Sequence, residues 1–333
     1  MTSDATVVIG CFTLERWDDI RAAIDSALAQ KPAPASVIVV VDHNAELSAR
    51  LRAEEPRVIV LDSVGPRGAS SVRNTGAFHA TTPVIAFLDD DAKARPDWLS
   101  RLIAPLNDPS VVGTGGWVEP DWRGGRPRWF PEEFAWVVGA SFAGMPGAGP
   151  IRNVWAENMA VRASVFAEVG GFRADFGKVG IVSRPEDTDL SIRMSRASGG
   201  VWIHVTDAVV DHAVPPLRGQ LRYFVRRSYL EGRGKIEMAR TLGSSSLGSE
   251  RGYMSSVLPR AIFRGIGESL SRGSIEGITR SAAIILGAAA AGFGGIQALL
   301  SMPAKGSTPA KGTAPAKGTA MTSHLPLTKG RTT

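Results

Sequence analysis

Three consecutive carboxylates, Asp89-Asp90-Asp91, follow five apolar residues, Val84 to Leu88, in the stretch Pro83 to Asp91. An apolar run this short, rich in Val, Ile and Phe, predicts a buried strand of an α/β sheet. Open α/β sheets bind ligands beyond the carboxyl ends of their strands, and the three aspartates fall at such an end. Carboxylates packed together repel one another and stay ionised only beside a cation. Hard divalent cations, Mg2+ or Mn2+, suit such a group and usually bring phosphates with them. Taken alone, the triplet reads as well as a solvated acidic turn capping the next helix.

Other polar residues recur at comparable places. Asp42 ends the apolar run Val37 to Val41. Arg73-Asn74 lies in a helix before the central strand. Glu186-Asp187 stands at the start of another helix, with His212 beyond a later strand. Carboxylates at a helix N-terminus are favoured by its dipole, which is the plain structural reading of Glu186 and Asp187.

The elements that must position these residues alternate. Strands are expected at Thr6 to Cys11, Val37 to Val41, Val58 to Leu61 and Val84 to Leu88, with a further one beginning at Val111. Helices are expected at Leu14 to Gln30, Leu47 to Ala53, Ser70 to Ala80 and Pro96 to Leu106. Trp17, Ile20, Ala23, Ile24, Ala27 and Leu28 give the first helix its apolar face. This alternation predicts a mostly parallel sheet covered on both faces.

Gly116 to Pro150 is rich in aromatic residues, glycine and proline, and suits a concave surface for sugar or lipid or an irregular core. Asn158 to Val161 reads as a strand and Ala163 to Glu168 as a helix, closed by Gly170-Gly171-Phe172. After the loop Arg173 to Pro185, Thr188 to Arg196 is helical. Val201 to Val205 and Ala208 to Val210 are expected as two short strands. Pro215 to Arg240 reads as a basic helix or helix pair with Arg218, Arg222 and Arg226 on one face. Such a face suits an anionic partner, a pyrophosphate or lipid headgroups.

The bulk numbers bound the class. The chain has 333 residues, 44% hydrophobic and 21% charged, a globular composition. Cys11 is the single cysteine, so an intrachain disulfide and a cysteine zinc site are both excluded. A reducing compartment follows, and Met1 to Ala5 lacks the features of a secretory signal. The net charge of +6 includes five positive residues in the tail, Lys305, Lys311, Lys317, Lys329 and Arg331. A body left at +1 gives no case for nucleic acid as a partner. Ser281 to Met302 has no charged residue over about a bilayer's length of helix. It predicts membrane contact, as a span or as a hairpin in the membrane surface, the alternative being a buried amphipathic segment. The repeats of Pro-Ala-Lys-Gly from Pro303 predict a disordered tail.

Together these pieces resemble family 2 glycosyltransferases. The resemblance is carried by Val7-Val8-Ile9, Val39-Val40-Val41-Asp42 and Val72-Arg73-Asn74-Thr75-Gly76. It continues through Ile85 to Asp91, Asn158-Met159-Ala160-Val161-Arg162 with Gly170-Gly171-Phe172, Glu186 to Arg193, and Val209-Val210-Asp211-His212. It covers roughly residues 5 to 240. It implies a GT-A fold, a Rossmann-like nucleotide-diphospho-sugar transferase sheet flanked by helices, with a helical C-terminal extension. Residues 1–240 would be the transferase domain, 1–115 its nucleotide-binding half and 116–240 its acceptor-binding half. The extension would be 241–302, and 303–333 the tail.

The resemblance also implies roles. Asp42 would read the nucleotide base, with Thr13, Arg73, Asn74, Asp89 and Asp90 as further donor contacts. Asp91, with Asp89 and His212, would hold Mn2+ or Mg2+, Asp91 most directly. Asp187 would be the catalytic base, and Glu186 would orient the acceptor. A single carboxylate base opposite a diphosphate leaving group gives one displacement and inversion at the anomeric carbon. The implied partners are a nucleotide-diphosphate sugar and a glycan or lipid-linked acceptor; Ser281 to Met302 and the arginine face add the expectation of a place at the cytoplasmic face of a membrane.

Two motifs depart from the family pattern. Gly10-Cys11-Phe12-Thr13 stands where Pro-Thr-Tyr-Asn is usual, and His43-Asn44 follows Asp42 in place of Asp-Gly-Ser. The Gln-x-x-Arg-Trp motif of processive synthases is absent, which favours transfer of one sugar. A sugar nucleotidyltransferase would carry a glycine-rich basic loop after its first strand, and Cys11 to Arg16 is no such loop. A non-catalytic scaffold at the membrane would be marked by loss of Asp91 or Asp187, and both are present.

Overall fold

The apolar runs become the centre of one sheet. The structure, a computed structural model, describes residues 2–174, 177–179, 182–184, 186–242 and 252–301. In chain order the first half holds β1 (Ala5–Cys11), α1 (Trp17–Leu28), β2 (Ser36–Val41), α2 (Ala45–Glu54), β3 (Ile59–Asp62), α3 (Ala69–His79), β4 (Val84–Asp89), β5 (Ala92–Ala94) and α4 (Trp98–Ile103). The second half holds β6 (Val111–Trp122), β7 (Gly149–Ile151), β8 (Asn158–Arg162), α5 (Ala163–Glu168), β9 (Gly177–Val179), β10 (Val182–Arg184), α6 (Glu186–Ser198), β11 (Val201–Val214), α7 (Leu221–Leu242), α8 (Leu258–Arg272) and α9 (Glu276–Leu300).

Among the described residues the main sheet has nine strands, ordered β3-β2-β1-β4-β8-β6-β11-β5, with β7 also on β11. β3, β2, β1 and β4 run parallel, as do β6 and β11. β8 runs antiparallel to both β4 and β6 and joins the two parallel sets. Buried strand residues on both faces explain the unbroken Val/Ile runs: Val7, Val8 and Ile9 of β1 and Val37 to Val41 of β2 are all in the core. The sheet places Asp42 and Asp89 at the carboxyl ends of β2 and β4, as the apolar runs predicted.

Asn158, the first residue of β8, locks the centre. Its Oδ1 accepts from the Trp98 indole at 2.8 Å, and its Nδ2 donates to the carbonyls of Trp117 and Ala208, each at 2.9 Å. It thereby ties α4, β6 and β11 to β8. Gly116 is required beside it, because a Cβ there would collide with the Ala208 carbonyl and the Asn158 amide. Cys11 ends β1 fully buried, its thiol donating to the Val40 carbonyl at 3.7 Å. Burial, then Asp90 and Asp42, pushes this thiol far above the ordinary range.

Several elements differ from the expectation. The first helix breaks at Trp17, because Thr13 caps a separate 3-10 turn, Leu14–Arg16. β6 runs through Trp122, so the aromatic stretch begins as strand. Phe130 and Phe134 are buried and pack with Trp122, Trp129 and Phe224 at ring distances of 5.0 to 5.6 Å, which makes this region core. The two short strands expected near Val201 and Ala208 are one strand, β11, with a register break between Val205 and Val209. Arg218 does not share a helix with Arg222 and Arg226. It belongs to a 3-10 turn, Pro216–Gly219, and the extended backbone of Gln220 separates that turn from α7.

Residues Met1–Leu300 form one unit of contacts, and Ser301–Thr333 form a second. α9 is the one described helix long and apolar enough to cross a membrane. The expected disordered tail lies outside the described residues.

Candidate active site

The carboxyl ends of β1, β2 and β4 meet the start of α6 and the end of β11, and the charged residues gather there. Arg73 is the cation at the centre. It projects from α3 and reaches Asp89 at 2.9 Å and Glu186 at 3.6 Å. Its guanidinium also lies 5.7 Å from the centre of the Phe172 ring. Burial opposes its charge, but Asp89, Asp187 and Glu186 outweigh that and raise its pKa further.

The three aspartates have three different settings. Asp89 faces Arg73. Asp90 is buried, with Oδ1 accepting from Arg16 at 2.7 Å and Oδ2 without a partner. Burial lifts its pKa to about 7 despite Arg16. Asp91 is buried between Arg16 at 3.0 Å and His212 Nε2 at 3.3 Å. Burial again favours its neutral form, but the His212 hydrogen bond and the charges of His212, Arg16 and Arg218 win and bring it to about 2. His212 is buried too. Its contact with Asp91 and the charge of Glu157 overcome burial and raise its pKa. The Asp91 carbonyl also accepts from the Ala213 amide at 2.8 Å, so backbone and side chain both fix this pair.

Glu186 and Asp187 lie inside the first turn of α6, not before it. Asp187 Oδ1 is buried without a hydrogen-bond partner. Burial, then the charge of Glu186, holds Asp187 well above the usual carboxylate range, although Arg73 and the Ala156 amide oppose this. Burial likewise raises Glu186, against Arg73. A carboxyl group with a raised pKa and a free oxygen has the properties of a general base working near neutral pH.

Arg16 and Glu157 were missed from the sequence. Arg16 follows β1 in the 3-10 turn, and its one legible signal is its place after a strand at the sheet's switch region. Glu157 immediately precedes the Asn158 motif. One step beyond the β4–β8 pairing of Leu88 with Asn158, it stands beside Asp89. Burial pushes it up to about 7, while the His212 and Arg73 charges pull it down. Gly139 packs against both: a Cβ there would stand 3.0 Å from His212 Cε1 and 3.5 Å from Glu157 Oε2. Its φ of +80° is one that glycine adopts readily.

Other expected residues lie at the edges of this group. Asp42 accepts from the Gly68 amide at 3.0 Å and meets His43 Nδ1 at 2.8 Å, tying the β2 end to the loop before α3. Thr13 caps its 3-10 turn by accepting from the Glu15 amide. The structure brings Asn74 to the Phe172 backbone, donating to its carbonyl at 2.7 Å and accepting from its amide at 2.8 Å. Asn74 thus holds the Phe172 ring in place beneath Arg73.

Among the described residues no three His, Cys, Asp or Glu side chains already enclose a common metal position. The donor set still fits a hard divalent ion. Asp91 is held ionised, His212 Nδ1 is buried without a partner, and Asp89 and Glu157 lie within electrostatic reach.

Known proteins resemble this chain in sequence and in fold. The sequence model described as glycosyl transferase family 2 matches residues 6–170. A glucosyl-dolichyl phosphate glucuronosyltransferase of Haloferax volcanii is 30% identical over 302 residues, 89% of this chain and 96% of that protein. The succinoglycan biosynthesis protein ExoM of Rhizobium meliloti is 29% identical over 59% of this chain and 62% of its own length. Among solved structures, a mannosyltransferase from Pyrobaculum calidifontis, in complex with GDP-Man and Mn2+, superposes with a TM-score of 0.52 at 18% identity. That superposition covers 87% of each chain.

Proposed function

The chain belongs to glycosyl transferase family 2 and is a glycosyltransferase with a GT-A fold, and on that premise we propose an inverting, metal-dependent transfer of one sugar. The donor is a nucleotide-diphosphate sugar and the acceptor is a hydroxyl on a lipid-linked glycan or a similar envelope precursor. The observation that carries the reading is the Asp187 carboxyl, one oxygen of which is buried without a hydrogen-bond partner, beside the group of Arg73, Asp89 and Asp91.

In this reading Asp187 takes the proton from the acceptor hydroxyl as its oxygen attacks the anomeric carbon. The bond from that carbon to the diphosphate oxygen breaks on the opposite face, so configuration inverts. Glu186 orients the acceptor and raises the basicity of Asp187 by its charge. Arg73 binds the donor and keeps Glu186 and Asp89 in place. A bound Mn2+ or Mg2+ would be held by Asp91 with Asp89 and His212, and would supply Lewis-acid neutralisation of the departing diphosphate. Asp42, Thr13, Asn74 and Asp90 complete the donor side, Asn74 by holding Phe172 under Arg73. Residues 1–115 serve the nucleotide and 116–240 the acceptor, with 241–302 as an extension at the inner face of a membrane. The lipid-linked acceptor is supported by the name of the Haloferax volcanii relative and by the apolar helix α9.

The test is thermal shift of the purified protein with UDP, GDP and TDP and their sugars, with and without Mn2+. A ligand that binds the folded state alone adds about 2.7 kcal/mol at a hundredfold over its dissociation constant. A shift with one nucleotide that needs Mn2+ and is lost in Asp91→Ala supports the reading. No shift with any nucleotide would favour a non-catalytic scaffold.

A further inference from the structure

Among the described residues the outward face of α9 is left exposed, with the Phe293 ring 6.2 Å from that of Tyr229 on α7. Ile278, Ile285, Phe293, Ile296 and Leu300 follow one another at helical spacing and are exposed, Phe293 by 64% and Leu300 by 81%. Residues 281–301 include no charged side chain, and the helix is about 37 Å long at 1.5 Å per residue. An apolar stripe of this length on a charged protein marks a docking surface. Phe263, Ile266 and Leu270 make a second exposed stripe on α8.

Apart from Ile284, the inward face of α9 is made of small residues. Gly277, Gly287, Gly294 and Gly295 are buried. A Cβ at Gly294 would collide with the Tyr229 carbonyl, and one at Gly277 with the Gly265 carbonyl. A Cβ on Gly232 of α7 would strike the Ala291 carbonyl. Backbone therefore lies on backbone along α7 and α8. α7 also carries Arg222, Arg226, Arg227, Arg233 and Lys235. Such charges are costly inside a bilayer, so a helix seamed along α7 cannot also be threaded through one.

The charges near the stripe fit an anionic lipid surface. α8 and α9 together carry Arg260, Arg264, Arg272 and Arg280 against Glu268 and Glu276, a net +2. Both glutamates are paired, Glu268 with Arg280 and Glu276 with Arg128. Among the described residues Arg260 and Arg272 have no ion-pair partner and are exposed. Residues 302–333 carry Met302, Met321, Leu325 and Leu327 as their large apolar side chains, few against the length of the stripe.

We infer that α8 and α9 form a hairpin lying in the plane of an anionic bilayer, with the outer stripes sunk at the headgroup boundary and neither helix crossing. The inference rests on the membrane placement proposed above and specifies how contact is made. The hairpin is fixed to the wall of the site. Arg264 pairs with Glu133, and the Tyr253 hydroxyl donates to the Glu133 carbonyl. Glu133 belongs to the 3-10 segment Glu132–Val138, and the next residue, Gly139, packs on His212 and Glu157. One segment thus joins the lipid surface to the carboxylates, which suits an acceptor hydroxyl presented from the bilayer.

The test is flotation of the full chain with vesicles of phosphatidylcholine, alone or mixed with phosphatidylglycerol, followed by alkaline carbonate extraction. The expected result is binding that needs phosphatidylglycerol and is released by carbonate. Phe293→Glu with Ile296→Glu should weaken binding about tenfold or more while leaving the Mn2+-dependent nucleotide shift intact. If that pair disturbs folding, Phe293→Ser with Leu300→Ser should give a smaller loss in the same direction. Resistance to carbonate would overturn the in-plane hairpin and leave the membrane placement standing. Flotation unchanged in the folded variants would overturn the stripe as the docking face. No binding to either vesicle, with a dimer in light scattering, would show a second copy on this face and overturn both.

Discussion

His212 Nε2 stands 3.3 Å from Asp91 Oδ1, a side-chain contact that joins β11 to the turn between β4 and β5. It sets a buried imidazole against a carboxylate held at about pKa 2, with the other imidazole nitrogen partnerless. Such a pair is stable without a metal and has the donors to accept one. Asp91→Asn is expected to abolish the Mn2+-dependent part of nucleotide binding. His212→Ala should weaken it about 10- to 100-fold, as loss of a supporting metal-site residue does. Titration calorimetry of the nucleotide with and without Mn2+ reads both.

Asp187→Asn keeps shape and removes the base. The turnover rate is expected to fall by about 10²–10⁴. Nucleotide affinity should stay within error of the wild type, because the proposed donor contacts lie on α3 and beyond the ends of β1, β2 and β4 and not on α6. Single-turnover kinetics beside thermal shift separates the two, and equal loss in both would refute the assignment.

The pH profile follows from the charges around Asp187. A base works when deprotonated, so activity should rise with pH, with its midpoint well above the ordinary 3.8 of an aspartate. Glu186 pushes this group up, so Glu186→Gln should move the midpoint to lower pH. Arg73 pulls it down, so Arg73→Gln should move it to higher pH at saturating donor. Rate against pH for the three proteins checks the signs, and a midpoint that ignores both changes would exclude Asp187.

Asn158 offers a stability test away from chemistry. Asn158→Ala removes three hydrogen bonds and leaves the Trp98 indole and the Ala208 carbonyl unsatisfied in the core. A loss of about 3 kcal/mol is expected from bonds of this kind. Urea denaturation measures it, and a change under 0.5 kcal/mol, the usual scatter of surface substitutions, would show that water replaces the amide.

Much of this was legible because the signals are local. The apolar runs of β1, β2 and β4 read as buried strands, and those of β2 and β4 lead into Asp42 and Asp89, which the pairing of both strands with β1 brings to one edge of the sheet. The residues missed act across the chain. Arg16 matters because it reaches Asp90 and Asp91, and no spacing rule joins those positions. Glu157 becomes a site residue only when β8 inserts antiparallel beside β4. The aromatic stretch from Gly116 was ambiguous because its partner, Phe224, comes from α7. Asn74 was read toward the donor, and its bond to Phe172 depends on a turn far along the chain.

The burial of Cys11 has a practical side. Reagents that modify cysteine need an accessible thiolate, and this one is 2% exposed with its ionisation suppressed. The natural chain therefore behaves toward thiol probes almost as if it had no cysteine. A single cysteine placed at Phe293, Ser271 or Arg67 would take up a fluorophore or spin label alone. Depth in a bilayer, and the distance from that surface to the loop before α3, then become measurable on an otherwise unaltered molecule.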